Sequence, residues 1–450
     1  MMLHDILKAL GRPLESSDDL EVSGSDPQLK TRFRIGEAGA ATLAAVGLMV
    51  SDLWAMRSGR SQKIRIETSA AAAALRSSGY MRRESDDPPN PWDAISGFYQ
   101  TADHRWVQLH CNFPHLRDGT LAVLGCANAR EAVESALRSW QAAELEAVCI
   151  ERGLCVSIVR EPTEWRAEPH AAAVDTLPLM EIEKIGDSDP EPLSESVRPL
   201  SDIRVLDLSR VLAGPTCGRT LAEHGATVMR ISAPHLPSIE SLVMDTGHGK
   251  LAAHADLDTE EGISQLRDLV GKSDVFSQAY RPQSLDARGF SPADLAALRP
   301  GIVYVTLSAF GHVGPMSERR GYDTLVQSAT GIAAEHGGSK EPRHLPASAL
   351  DYITGYLAAA GAMRALALRA EQGGSYLVRV SLCQTAHWLQ ALPRVDAEDV
   401  PRLNVDHLMM TSDTPFGRLS HLKPVLELSE TPPFWERPTV PLGTHAPEWP

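Results

Sequence analysis

The stretch Ile203–Ile231, IRVLDLSRVLAGPTCGRTLAEHGATVMRI, decides the fold. IRVLDL (Ile203–Leu208) is a short β-rich run, Ser209–Pro215 a loop, Thr216–His224 a helix and Ala226–Ile231 a second strand. The alternation continues outward: Lys250–Leu257 reads as strand, Thr259–Lys272 as helix, Asp274–Gln278 as strand and Gly301–Phe310 as strand. Ser291 is placed to cap a helix with Pro292 in its first turn and Asp294 just beyond. Asp351 is read as opening a long helix, YITGYLAAAGAMRALALRA, which Gly373 and Gly374 stop before the strand Tyr376–Leu382. Strands alternating with helices in this way predict an α/β chain with a doubly wound, Rossmann-like parallel sheet. In such sheets ligands bind beyond the carboxyl ends of the strands.

Working back toward residue 1, the helix–strand unit after Asp351 has an earlier copy. With Leu43 set on Leu357, no gap is needed from Glu37 to Leu75, and identities fall at Leu43, Ala44, Ala45, Gly47, Met49, Gly59, Ser61, Arg65, Ala72 and Leu75. The register puts Glu37 where Asp351 stands and Ala41 where Gly355 stands. Gly97–His110 predicts a hairpin turning at Ala102–His104, with helices following at Asn128–Trp140 and Ala142–Arg152. The expected division is therefore a degenerate repeat over 1–85 and a smaller α+β domain over 86–180. A linker rich in Asp, Glu, Pro and Ser follows over 181–202. The ligand-binding domain occupies 203–390 and an irregular Pro-rich tail 391–450.

Composition narrows the function. The net charge of −15 argues against nucleic acid or an anionic membrane as partner. Six scattered cysteines without a CxxC pair read as free thiols in a reducing, cytoplasmic setting. His248 and His254 lack metal-site spacing, so no metal is expected. The first residues show no basic segment ahead of an apolar core, and the longest apolar run, Ala38–Val50, is short of a bilayer span.

VLDLSRVLAGP, GATVMRI, DVFSQAYRPQSLDARGF, YVTLSAFGHVGP and RRGYDTLVQ, in that order across Ile203–Leu389, resemble the nucleotide-binding half of the class III CoA-transferases. That family includes formyl-CoA transferase, carnitine CoA-transferase and α-methylacyl-CoA racemase. GFYQTADHRW resembles the start of the family's small domain, WRAEPHAAA and LPLMEIEKIG its returning segment, and PLGTHAPEW its closing stretch. The pieces stand in an unusual order, as in a fusion or permutation with one unit duplicated.

The resemblance implies that Asp351 takes coenzyme A as an aspartyl thioester, a role suited to a carboxylate ionised at neutral pH. Read from the residues alone, Asp351 is first a plain helix N-cap, and the family register turns that reading toward catalysis; the two roles can coexist. Glu37, one methylene longer, is expected to be inactive. Tyr322 takes the place of the racemase branch's His and is a poor base, while Asp323 matches a family Asp. For CoA binding the resemblance implies the backbone of Val211, Leu212 and Ala213, with Arg230, Tyr280, Arg288 and Arg320. Two departures stand out: Ala279 replaces the family's Asn, and Arg288 lies one place beyond the family's Arg. The segment Leu109–Leu116 (LHCNFPHL) lacks the Gly-rich loop that shields the thioester in some transferases. The expected partners are an acyl-CoA and a carboxylic acid, with a homodimer as the assembly. The alternatives are an acyl-CoA isomerase or racemase, CoA transfer within one substrate, and a non-catalytic CoA-binding homologue.

Overall fold

The computed structural model describes residues 2–15, 19–85, 90–281, 284–338 and 341–450. Pro282 and Gln283, inside the QAYRPQ stretch, lie outside the described residues. Among the described residues, seven strands pair into the central sheet: β1 (Glu181–Gly186), β2 (Arg204–Leu208), β3 (Thr227–Ser232), β4 (Lys250–His254), β5 (Val275–Gln278), β6 (Val303–Ser308) and β7 (Ser375–Ser381). Their order across the sheet is β4-β3-β2-β5-β6-β7-β1. Every pairing from β4 to β7 is parallel. The sequence dictates this: VLDL, VMRI, VFSQ and VYV are almost continuously buried, as strands covered on both faces must be. The strand order reverses beside β2, which opens a crevice at the strands' carboxyl ends.

Five helices bear on the site: α1 (Ile35–Ser58), α2 (Ala213–Glu223), α3 (Asp323–Ala329), α4 (Ala349–Gln372) and α5 (Leu382–Ala391). α4 is buried on nearly every face, the environment its Ala-rich, all-round apolar sequence requires. It packs against α1, α2 and β7. α1 is long and apolar enough by composition to cross a bilayer, yet most of it is buried inside the protein.

The duplication seen in the sequence has a structural counterpart. α1 and α4 are 24 residues each. The residues before them, Arg34 and Ser348, share φ/ψ of −78°/54° and −77°/59°. Both helices end on a glycine of positive φ, Gly59 at 70° and Gly373 at 67°, though only Gly59 has the left-handed helical ψ. Gly47 and Gly361 occupy equivalent positions and serve the same contact. A Cβ on Gly47 would lie 2.6 Å from Ile64 of the strand that follows α1, and one on Gly361 2.6 Å from Val378 of β7. The strand after each helix pairs parallel with an earlier one, Ile64–Glu67 with Leu20–Ser23 and β7 with β6.

The smaller unit is an antiparallel sheet of Gly97–Gln100, Trp106–Leu109 and Val156–Ile158 with its own apolar core. Two expectations change. The acidic stretch predicted as a linker begins with β1, which pairs antiparallel with β7 at the sheet edge. None of its residues is fully buried, which suits an edge strand, and its charges hid that. The predicted irregular tail contains the hairpin Met409–Thr414/Gly417–Leu422, which pairs with Arg82–Arg83. Glu427–Leu428 adds to Ile64–Glu67, and His445 bridges Ala253 on β4.

Candidate active site

Beyond the carboxyl ends of β2 to β6 lies a cavity of about 500 Å³. Asp351, Val211, Leu212, Ala213, Tyr280, Arg288, Arg320 and Tyr322 all line it. Residues more than a hundred positions apart are thus brought together. The sheet order gives the cavity a direction. Asp256 and Asp258 follow β4 at one end, and at the other Leu307 and Ser308 end β6 and Leu382 follows β7. Four strand spacings separate β4 from β6, about 19 Å.

Asp351 is the third residue of α4, not its cap. Ser348 holds the cap position and makes no side-chain cap bond. The capping comes from another element: Asp351 N donates to Asp323 Oδ2 at 3.1 Å, and Asp323 Oδ1 accepts from the Gln327 side chain. This frees the Asp351 carboxylate, 8 % exposed, to face the cavity. The expectation of a readily ionised carboxylate needs correction. Burial, with Asp323 adding like-charge repulsion, holds the Asp351 carboxyl well above the usual carboxylate range. Burial lifts Asp323 to about 6.

The loop after β2 is fastened from below by a buried pair that sequence reading did not single out. Lys250 Nζ donates to Asp207 Oδ2 at 2.6 Å and to the Pro215 carbonyl at 2.7 Å. Asp207 Oδ1 accepts from Ser209 N at 3.1 Å and from the Ser209 hydroxyl. One ion pair therefore grips both ends of Ser209–Pro215. Within the loop Val211 has φ 71°, a strained setting for a β-branched residue. α4 closes onto the same loop at Gly355, where a Cβ would collide with the Ala213 carbonyl and lie 2.7 Å from Thr216 Cβ. A charged residue opening the buried strand β4 was the signal for Lys250.

Phe113 and His115, from the segment without glycine, also line the cavity. Arg210 sits 5.1 Å over the Phe113 ring, and Arg320 approaches His115 Nε2 at 3.4 Å. Tyr322 stacks on His110 at 4.1 Å, and burial raises its phenol further above its ordinary value. Burial also raises the Tyr280 phenol. Arg288 is committed to Asp258 at 2.6 Å and to the carbonyls of Leu257 and Ser284.

Three expected residues lie elsewhere. Arg230 is buried behind the wall and lines a separate cavity of about 20 Å³, and among the described residues its Nη1 has no hydrogen-bond partner. Asp323 lies behind Asp351, as its cap. Glu37 is not among the cavity residues and is paired with Arg34 at 2.7 Å. Its backbone N donates to Asp26 Oδ2 at 2.8 Å, a copy of the Asp323–Asp351 contact.

The model of CoA-transferase family III matches residues 20–186 and 200–414. An acetyl-coenzyme A transferase from Hypoxylon pulicicidum is 31 % identical over 320 residues, covering 66 % of this chain and 54 % of that protein. An acyl-CoA transferase from Gibberella moniliformis is 32 % identical over 317 residues, with 64 % and 55 % covered. The crystal structure of Rv3272 from Mycobacterium tuberculosis aligns with TM-score 0.41 and 29 % identity, covering 43 % of this chain and 58 % of that one. The chain spans about half the length of the curated relatives it matches.

Proposed function

The chain belongs to CoA-transferase family III, and from that membership we propose that it moves coenzyme A from an acyl-CoA to a carboxylic acid through a thioester on Asp351. One observation carries the reading. A buried carboxylate with its helix end capped by a separate residue opens on the same cavity as the fastened loop Val211–Ala213.

The chemistry needs no water and no redox partner. An Asp351 oxygen attacks the thioester carbonyl, forming a C–O bond; the C–S bond breaks and CoA thiolate leaves. The thiolate then attacks the Asp351 acyl carbon of the mixed anhydride, and the first acid departs as its carboxylate. An acceptor carboxylate repeats both steps in reverse, and Asp351 is regenerated. The pantetheine arm runs along Val211–Ala213 past Tyr280, with Arg288 at the β4 end for the nucleotide. Phe113, His115 and Tyr322 are the apolar and aromatic cover that keeps water from the thioester. Cytoplasmic residence and a homodimer complete the proposal.

Burial disfavours ionisation of the Tyr322 phenol, which argues against proton abstraction and so against racemisation. A labelled external acid tests the reading. Label enters a new CoA ester, and Asp351→Asn lowers that rate by a factor of about 10³ or more. Product formation without incorporation of label would instead mean isomerisation.

A further inference from the structure

Tyr352 follows Asp351 in the chain and leaves α4 on a different side, about 100° round the helix. It is fully buried and is not among the cavity residues. Its hydroxyl donates to Asp245 Oδ2 at 3.3 Å and accepts from Ser78 N at 3.2 Å. Ser77 Oγ donates to the same Asp245 oxygen at 2.8 Å and stands 3.1 Å from the Tyr352 hydroxyl. Arg219 Nη1, from α2, donates to Asp245 Oδ2 at 3.0 Å, to the Asp245 carbonyl at 3.1 Å and to Ser77 Oγ at 3.2 Å. Asp245 itself lies on the short helix Glu240–Thr246. All of these side chains are buried. Burial, with Asp245 as the next cause, raises the Tyr352 phenol above its ordinary value, so the hydroxyl keeps its proton and donates it. The result is a closed polar network in which one carboxylate oxygen takes three donors, a rigid arrangement when buried.

The network joins the two halves of the chain. Ser77 and Ser78 open the short helix Ser77–Tyr80, just past the duplicated unit of the first half. Arg219, Asp245 and Tyr352 belong to the second half. Ser348 gives the start of α4 no side-chain cap, so polar anchors for its first turn come from other elements: Asp323 at Asp351 N, and this network at Tyr352. Side chains reach about 5–6 Å from a helix axis, so turning α4 by about 5° moves a carboxylate by about 0.5 Å. A misplacement of about 1 Å costs on the order of 10²-fold in rate, and half of it about 10-fold. We propose that Tyr352 is a positioning residue for Asp351, and that Ser77 and Ser78 brace it from the first half of the chain. The segment that ends the first copy then sets the aim of the nucleophile in the second. This inference rests on the transferase reading above.

Wild type is compared with two near-isosteric variants, Tyr352→Phe and Ser77→Ala, using acetyl-CoA, propionyl-CoA and succinyl-CoA as donors. The measurements are kcat, KM for acyl-CoA and the single-turnover rate of Asp351 acylation, read by hydroxylamine trapping. Leu53→Ala, in the buried core of α1 and outside the network, is the stability control. Tyr352→Phe is expected to lower kcat and the acylation rate by about 10-fold, and Ser77→Ala by about 3-fold. KM for acyl-CoA stays close to wild type in both, because the loss is in aim and not in binding. Neither variant changes a charge, so the acid limb of the pH profile stays in place. Leu53→Ala lowers Tm at least as far and keeps its kcat below the melting range. Unchanged kcat in both network variants overturns the brace. So does a rise in KM that matches the fall in kcat, which would make the change one of CoA binding. A loss of kcat in Leu53→Ala in step with its Tm also overturns it, as a stability effect. Wild type that is acylated by none of the donors is a different failure. It removes the transferase reading, and the positioning role with it.

Discussion

Asp351 is asked to be a nucleophile while burial and Asp323 both favour its protonated form. Only the ionised carboxylate attacks, so enzyme acylation falls as pH drops through the raised pKa. The acid limb of its pH profile therefore lies well above the usual carboxylate range near 4. Asp323→Asn removes the like-charge contribution and is expected to move that limb to lower pH. An unmoved limb in stopped acylation measurements would contradict the assigned cause. Stability follows with its own sign. The native protein binds the Asp351 proton more tightly than the unfolded chain does, so this residue lowers stability as pH rises from about 4 toward the native pKa. Asp351→Asn is accordingly expected to raise Tm at neutral pH, with the gain vanishing near pH 4. Calorimetry at the two pH values measures it. In the sequence Asp351 was legible as a candidate through the LDYITG context. Its cap was not, because Asp323 lies 28 residues away and the pairing exists only after α3 and α4 pack.

At the scale of elements, the loop Ser209–Pro215 is held between a buried ion pair and a glycine face of α4. Lys250→Met leaves Asp207 buried without its partner and is expected to cost about 3–5 kcal/mol by chemical denaturation. The double replacement Asp207→Asn with Lys250→Met removes both charges and recovers much of that loss. Its loop is then less constrained, and KM for acyl-CoA rises more than kcat falls. Gly355→Ala forces a methyl against the Ala213 carbonyl, with an expected cost of about 1–3 kcal/mol. The equivalent residue of the first copy is already Ala41, buried at 7 % exposure, so α1 cannot receive a loop as α4 does. Strand and helix identity was readable here because alternation and buried runs are local properties. β1 was not, because its charges are those of an edge and its partner β7 lies almost 200 residues on.

Across the whole molecule, both ends of the chain are bound into the fold. Leu20–Ser23 and Glu427–Leu428 flank Ile64–Glu67, and His445 Nδ1 accepts from Ala252 N on β4 at 3.1 Å. Trp449 donates to the Leu269 carbonyl at 3.1 Å. Removing 441–450 uncovers that side of β4, and a lower Tm with concentration-dependent association is expected in light scattering. The tail looked irregular in sequence because its stability is borrowed from surfaces formed elsewhere. The same holds for the repeat, whose matching ends were visible as Gly59 and Gly373, while the Arg34–Glu37 pair comes out only in the structure. The account as a whole stands on which carboxylate carries coenzyme A. Protein incubated with acyl-CoA, trapped with hydroxylamine and mapped by mass spectrometry should carry the hydroxamate on Asp351 and none on Glu37. A modification on Glu37, or an unmodified Asp351 under turnover, would contradict it.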